Sequence, residues 1–241
     1  MARQISFEIL GGTVRDDDFP ADLSYCDGLD IAPLEEPERP AWRGPAREAD
    51  PDEQLLEARR RVAVRVMMIV PARYRRASAS DETALAWIKE PHDVLYITGP
   101  TGTGKTHLAW GLIRQYIAHT HGVFRRPDKI PACKGWTVTE LGNEIKTEWN
   151  AREIEGPSTL DKACRTTLLL LDDVGAERQT DWNLEQMDLV VNSRYNNLLP
   201  TIVTTNVPPK GLAERLGDRV ASRVAENATI IALTGDDRRR S

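Results

Sequence analysis

Short apolar runs alternate with longer segments of helical periodicity over the last two thirds of the chain. VLYIT (94–98), TTLLLL (166–171), TIVTT (201–205) and ATIIAL (228–233) are each five or six residues long. Runs of that length predict strands buried on both faces. Between them, segments 107–119, 139–150, 182–198 and 212–225 predict helices. Strands alternating with helices argue for an α/β fold: a five-stranded parallel sheet with helices on both faces. Residues 122–138 should hold the remaining strand, although FRRPDKIPACKGW reads as a loop.

Ahead of this core, the pattern of EQLLEARRRVAVRVMMIV predicts a helix over 53–70, ended by Pro71. Ser80 or Asp81 is placed to cap a further helix running through Trp87. A short strand is expected at 5–10, with Gly11 and Gly12 ending it. The expected organisation is an acidic N-terminal segment (1–50), a helical linker (51–90) and a core (91–241), with no internal repeat.

Charge sharpens that division. The net charge is −5, and between residues 15 and 53 thirteen acids face four arginines, which leaves the chain from residue 54 onward at +4. Residues 32–53 have little to bury. They read equally as a solubilising linker or as a partner-docking segment. The mildly basic body is compatible with nucleic acid without requiring it. Three scattered cysteines without a CxxC pair indicate neither a zinc module nor a disulfide framework. Cys164, beside an apolar run, reads as core. No apolar run approaches the ~20 residues of a membrane span. The first ten residues carry no signal pattern. A cytoplasmic protein with no membrane partner is expected.

The chemistry concentrates at three strand ends. ITGPTGTGKTH fits G-x-x-x-x-G-K-[ST] between a predicted strand and a predicted helix. Gly99, Pro100, Thr101, Gly102, Thr103 and Gly104 would wrap the backbone so that its N–H groups meet phosphate oxygens. The helix start at Lys105, Thr106 and His107 would add its positive end. Lys105 would reach the outer phosphates of ATP, and the Thr106 hydroxyl would bind Mg²⁺. LLLLDDVGAE ends a strand in two acids. Asp172 is the candidate Mg²⁺ carboxylate, and Asp173 is placed to polarise a water. Asn206, at the tip of TIVTTN, could orient that water; a plain turn residue is the other reading. Arg219 and Arg223 are four apart and share a helix face. They could reach a phosphate, or be a salt-bridged surface with Asp218 or Glu226.

The order GPTGTGKTH, LLLLDDVGAE, PTIVTTN, GDRVASR resembles the AAA+ ATPases, more narrowly the DnaC/DnaI-type replicative helicase loaders and the similar IstB-type transposition helpers. The resemblance covers roughly residues 70–238. It implies that Asp173 is the catalytic acid, Asp standing where most members have Glu, and hence slow hydrolysis. It implies that Asn206 is sensor 1 and that Arg223, with Arg219 before it, is an arginine finger acting in trans within a homo-oligomer. Val70 and Tyr74 fall where the family packs adenine. No helical lid is expected after Arg223. The implied function is an ATPase that loads a ring helicase onto single-stranded DNA. The rivals are an IstB-like transposition helper, a small-molecule P-loop kinase and a non-hydrolysing ATP-gated module. Arg125, Arg126, Lys129 and Lys134, near Trp136, read either as a DNA-contacting loop or as a solvated one.

Overall fold

The computed structural model describes residues 7–9, 12–14, 23–31, 50–120, 133–151, 156–175 and 181–235. It divides into two compact units, Met1–Arg76 with Ile113–Asp128, and Ala77–Leu112 with Lys129–Ser241.

In the first unit, β1 (Phe7–Ile9) pairs antiparallel with β2 (Gly12–Val14). Gly12 therefore opens a second strand instead of ending the first. Helix α1 (Pro51–Ile69) starts under an Asp50 cap with Pro51 at its first position. Its buried face carries Ala58, Val62, Ala63 and Val66 at helical spacing. Residues 23–31, within the acidic segment, are tied to this helix and to residues 113–120. The Cys26 thiol donates to the Arg59 carbonyl (3.1 Å), and Arg114 donates to the carbonyls of Tyr25 (2.6 Å) and Asp27 (3.3 Å). Desolvation pushes the Cys26 thiol up and so keeps it protonated. Residues 32–49 lie outside the described residues.

The second unit begins with α2 (Glu82–Lys89), capped by Asp81, whose side chain accepts from the Ala84 N–H at 2.9 Å. Then follow β3 (Val94–Thr98) and α3 (Lys105–Thr120), whose residues from Ile113 belong to the first unit. Next come β4 (Cys133–Thr137), α4 (Val138–Asn150), α5 (Thr159–Arg165), β5 (Leu168–Val174) and α6 (Asp181–Asn196). The unit closes with β6 (Thr201–Thr205), α7 (Leu212–Leu216), α8 (Asp218–Ala225) and β7 (Thr229–Ala232). All pairings are parallel, in the order β4-β5-β6-β3-β7. The expected five-stranded sheet is present, and β6 sits between the strand leading to the glycine-rich loop and the strand ending in the two acids.

Period-two alternation explains why the strands read as unbroken apolar runs. Leu169 and Leu171 of β5 join Tyr96, Val203, Ile145 and Val190 in one core cluster. Leu168 and Leu170 point to the opposite face and are fully buried there. On that face Trp110 of α3 covers Gly135, where a Cβ would come within 2.6 Å of the indole.

One strand falls in the segment where the sequence required it but showed no strand pattern, and two helical regions depart from the sequence reading. β4 forms from CKGWT, poor in strand-favouring residues, because it pairs along β5 from Cys133↔Leu168 to Thr137↔Asp172. α5 was not expected; a capping box of Ser158 and Asp161 starts it. The single helix expected over 212–225 is two, because Gly217 takes φ 80, ending α7 and preceding α8.

Arg194, fully buried on α6, fastens this unit. It donates to the carbonyls of Ala163 and Thr166 at the end of α5, to the Pro200 carbonyl and to the Thr201 hydroxyl, at 2.6–3.0 Å. A cation at a helix C-terminus also meets its negative end. Arg194→Met keeps the bulk and removes the donors, stranding several acceptors. Urea unfolding should show about 3 kcal/mol or more of destabilisation, and an unchanged midpoint would contradict this role.

Candidate nucleotide site

The loop between β3 and α3 is shaped by its glycines. Gly102 and Gly104 take φ of 86 and 96, which L side chains rarely adopt. Gly99 has a different reason to be glycine: a Cβ there would lie 2.3 Å from the Leu233 carbonyl oxygen, where the chain leaves β7. Thr103, 3 % exposed, donates its hydroxyl to the Pro100 carbonyl (2.9 Å) and pins the turn. Thr101 stays exposed. His107 takes the Ser78 amide N–H on its Nε2 at 3.2 Å. That contact ties His107 to the chain ahead of α2.

Lys105 Nζ donates to the carbonyls of Gly99 (2.9 Å) and Pro100 (2.8 Å) and to Asn206 Oδ1 (2.6 Å). The ammonium is thus held at the loop mouth beside the tip of β6. The chain after Asn206 is itself fixed. The Val207 carbonyl accepts from the Tyr96 hydroxyl (2.8 Å) and the Thr98 hydroxyl (3.0 Å). Burial pushes the Tyr96 phenol up to about 12, so it remains a donor.

One step along the sheet, Asp172 Oδ1 accepts from both the Thr106 hydroxyl (3.0 Å) and the Thr204 hydroxyl (2.5 Å). Thr204 also receives the Asp173 amide at 2.9 Å. A register irregularity between Leu171 and Val174, with Asp173 at φ 58, turns Asp173 outward to the exposed side. Burial raises the pKa of Asp172. The hydrogen bonds from Thr204 and Thr106 counter this, and the charges of Asp173 and Glu140 add to it. A nearby cation would relieve the buried carboxylate. The Thr106 hydroxyl and the Asp172 carboxylate are the hard oxygen donors that Mg²⁺ takes. The residues fit that ion.

The structure therefore brings Lys105, Thr106, Asp172, Asp173 and Asn206 together at the C-terminal ends of three neighbouring strands, where open α/β sheets bind ligands. It does not bring Arg219 or Arg223 there. Arg223 lines a cavity of about 350 Å³ together with Asp93, Val94 and Thr201, at the starts of β3 and β6. The four residue steps from Val94 to Thr98 span roughly 13 Å. The expected partners Asp218 and Glu226 are not those observed; the ion pairs of both arginines go to Asp188 on α6. Val70, 2 % exposed, caps α1, and Tyr74 closes the turn Ala72–Tyr74; both belong to the first unit. Of the basic loop, residues 125, 126 and 129 lie outside the described residues. Trp136 is core, 3 % exposed, with its indole N–H on Glu144, so it offers no open stacking face. Thr204 and Asp188 were not singled out in the sequence.

A phosphate-cradling loop on a sheet of this strand order places the protein among the AAA+ class of P-loop ATP-binding proteins. The chain belongs to the family of IstB-like ATP binding proteins, which matches residues 75–240. It is 25 % identical to the replicative helicase loader DnaI of Bacillus subtilis over 189 residues, 71 % of this chain and 59 % of that protein. It is 28 % identical to the putative insertion sequence ATP-binding protein y4pL of Sinorhizobium fredii over 160 residues, 64 % of this chain and 60 % of the relative. The crystal structure of a DnaC helicase loader shares the fold, with a TM-score of 0.55 and 24 % identity over 68 % of this chain and all of that one. The chain spans about half the length of the curated relatives it matches, from 44 % to 60 %. Among the described residues, no helix is long and apolar enough to cross a membrane.

Lys105→Ala should weaken binding of a fluorescent ATP analogue by at least roughly 100-fold, since it removes a charge-assisted contact to the outer phosphates. An unchanged affinity would refute the cradle.

Proposed function

We propose that this protein is an ATP-hydrolysing loader that acts between a ring helicase and single-stranded DNA. The observation that carries the reading is the separation of Arg223 from the cradle of its own chain. The cradle has a lysine, two acids and an amide, and it takes no arginine from α8. Nucleotide clasped by one subunit would be completed by α8 of the next.

Within that arrangement each side chain has a task. The loop N–H groups and Lys105 bind the phosphates. Thr106 and Asp172 are the residues that would hold Mg²⁺, whose charge would offset that of the outer phosphates. Asp173 accepts a proton from the attacking water, and Asn206 orients that water. The water oxygen bonds to the γ-phosphorus while the bond to the β–γ bridging oxygen breaks, releasing ADP and phosphate. Arg223 from the neighbour stabilises the charge on the γ-phosphoryl oxygens, a contribution worth 10³–10⁵ in rate where such arginines are measured, by order of magnitude. Asp173 has one methylene fewer than Glu, so slow basal turnover is the expected outcome. ATP binding would hold the subunits, DNA and helicase together, and hydrolysis would loosen the seam.

The likeness to DnaI and DnaC supports a loader. The family description and the relative y4pL support a second reading, a helper of DNA transposition using the same ATP site. A small-molecule kinase has less support, since β6 separates the acid-tipped strand from the cradle strand. Light scattering after chromatography, with and without ATP and a candidate hexameric helicase, tests the proposal. Wild type should form ATP-dependent assemblies that retain the helicase, and in a phosphate-release assay Arg223→Ala should turn ATP over roughly 10³-fold more slowly within them. A monomer under every condition, or retention of a transposase in place of the helicase, would overturn the loader reading.

A further inference from the structure

Asp188 stands between the two arginines of α8. Its Oδ1 lies 3.4 Å from Nη1 of Arg223, and its Oδ2 lies 3.6 Å from Nη1 of Arg219. The two arginines are not equivalent. The Arg223 side chain is 19 % exposed and that of Arg219 67 %. The Arg223 guanidinium also sits over the Tyr195 ring, 5.8 Å from its centroid. Tyr195 is anchored in turn, its hydroxyl donating to Glu226 at 2.9 Å. Asp188 and Tyr195 are seven residues apart on α6 and so share a face. That face supplies a carboxylate and an aromatic ring to one guanidinium.

We infer that Asp188 is a positioning residue that presets Arg223 for the nucleotide of a neighbouring subunit. The inference rests on the reading of Arg223 as a group acting in trans. An arginine side chain has many rotamers, and ordering it at the moment of reaction raises the barrier. Asp188 engages Nη1 alone, which leaves the Nη2 end of the planar fork to a phosphate oxygen. The shared hold on Arg219 keeps the carboxylate itself oriented. Ion pairs this long and this close to solvent add little to folding stability. A role in positioning and a role in stability therefore predict different outcomes.

The test is ATP turnover by the full chain, with wild type, Asp188→Ala, Asp188→Glu, Arg223→Ala and the double variant Asp188→Ala/Arg223→Ala compared at saturating ATP. Asp188→Ala should lower kcat roughly 10- to 100-fold, with KM for ATP and the thermal midpoint unchanged. Asp188→Glu should recover part of the loss. The double variant should turn over no more slowly than Arg223→Ala alone, because Asp188 acts only through Arg223. Turnover of Asp188→Ala within twofold of wild type, with Arg223→Ala inactive, would overturn the positioning role and leave the arginine reading standing. Independent losses that multiply in the double variant would overturn it as well. Full activity of Arg223→Ala would remove both. Should Asp188→Ala fold poorly, Asp188→Asn keeps the shape and carries the same predictions.

Discussion

A single carboxylate oxygen ties the site together. Asp172 Oδ1 accepts one hydroxyl from the first turn of α3 and another from β6, at 3.0 and 2.5 Å. Neither strand tip nor helix start can shift without losing one of these bonds. The oxygen is buried, where an unmade hydrogen bond is expensive. Through Thr204 the same contact reaches the Asp173 amide, so the two adjacent acids are held in different directions, one inward and one to solvent. A strand that simply continued would alternate its side chains; here the irregularity after Leu171 lets Asp173 leave the ladder.

The strand order converts that local contact into a division of labour. Because β6 lies between β3 and β5, its tip brings Asn206 against Lys105 and Thr204 against Asp172. The helices that follow β6 return toward the starts of the strands. They deliver Arg223 to the cavity beside Asp93 and Val94, while the lysine stays at the other end of β3. One chain thus holds Lys105 and Arg223 at opposite ends of β3; in the assembly we propose, they would be the two halves of a site shared by like subunits.

How much of this was legible depends on what each residue's neighbours contribute. GPTGTGKTH, LLLLDD and TIVTTN announce themselves, because phosphate cradling and burial on both faces constrain residue type directly. β4 does not, since CKGWT becomes a strand through pairing with β5 and through Trp110 covering Gly135. The Ser158–Asp161 cap was readable as S-x-x-D but fell in a segment with no apolar run to draw attention. Arg194 looks like a surface residue of a helix until its four partners are brought from α5 and from the chain entering β6. The pairing of Arg219 and Arg223 was visible from spacing. Their partner Asp188, about 30 residues upstream, was not, because only the packing of α6 against α8 creates the contact.

The central claim is that lysine and arginine come to one triphosphate from different chains. Mixing Lys105→Ala protein with Arg223→Ala protein, each inactive alone, measures it directly. An intact cradle in one variant can then meet an intact arginine in the other, and ATP turnover should reappear and peak at an intermediate mixing ratio. Turnover that stays at the level of the separate variants at every ratio would contradict the account.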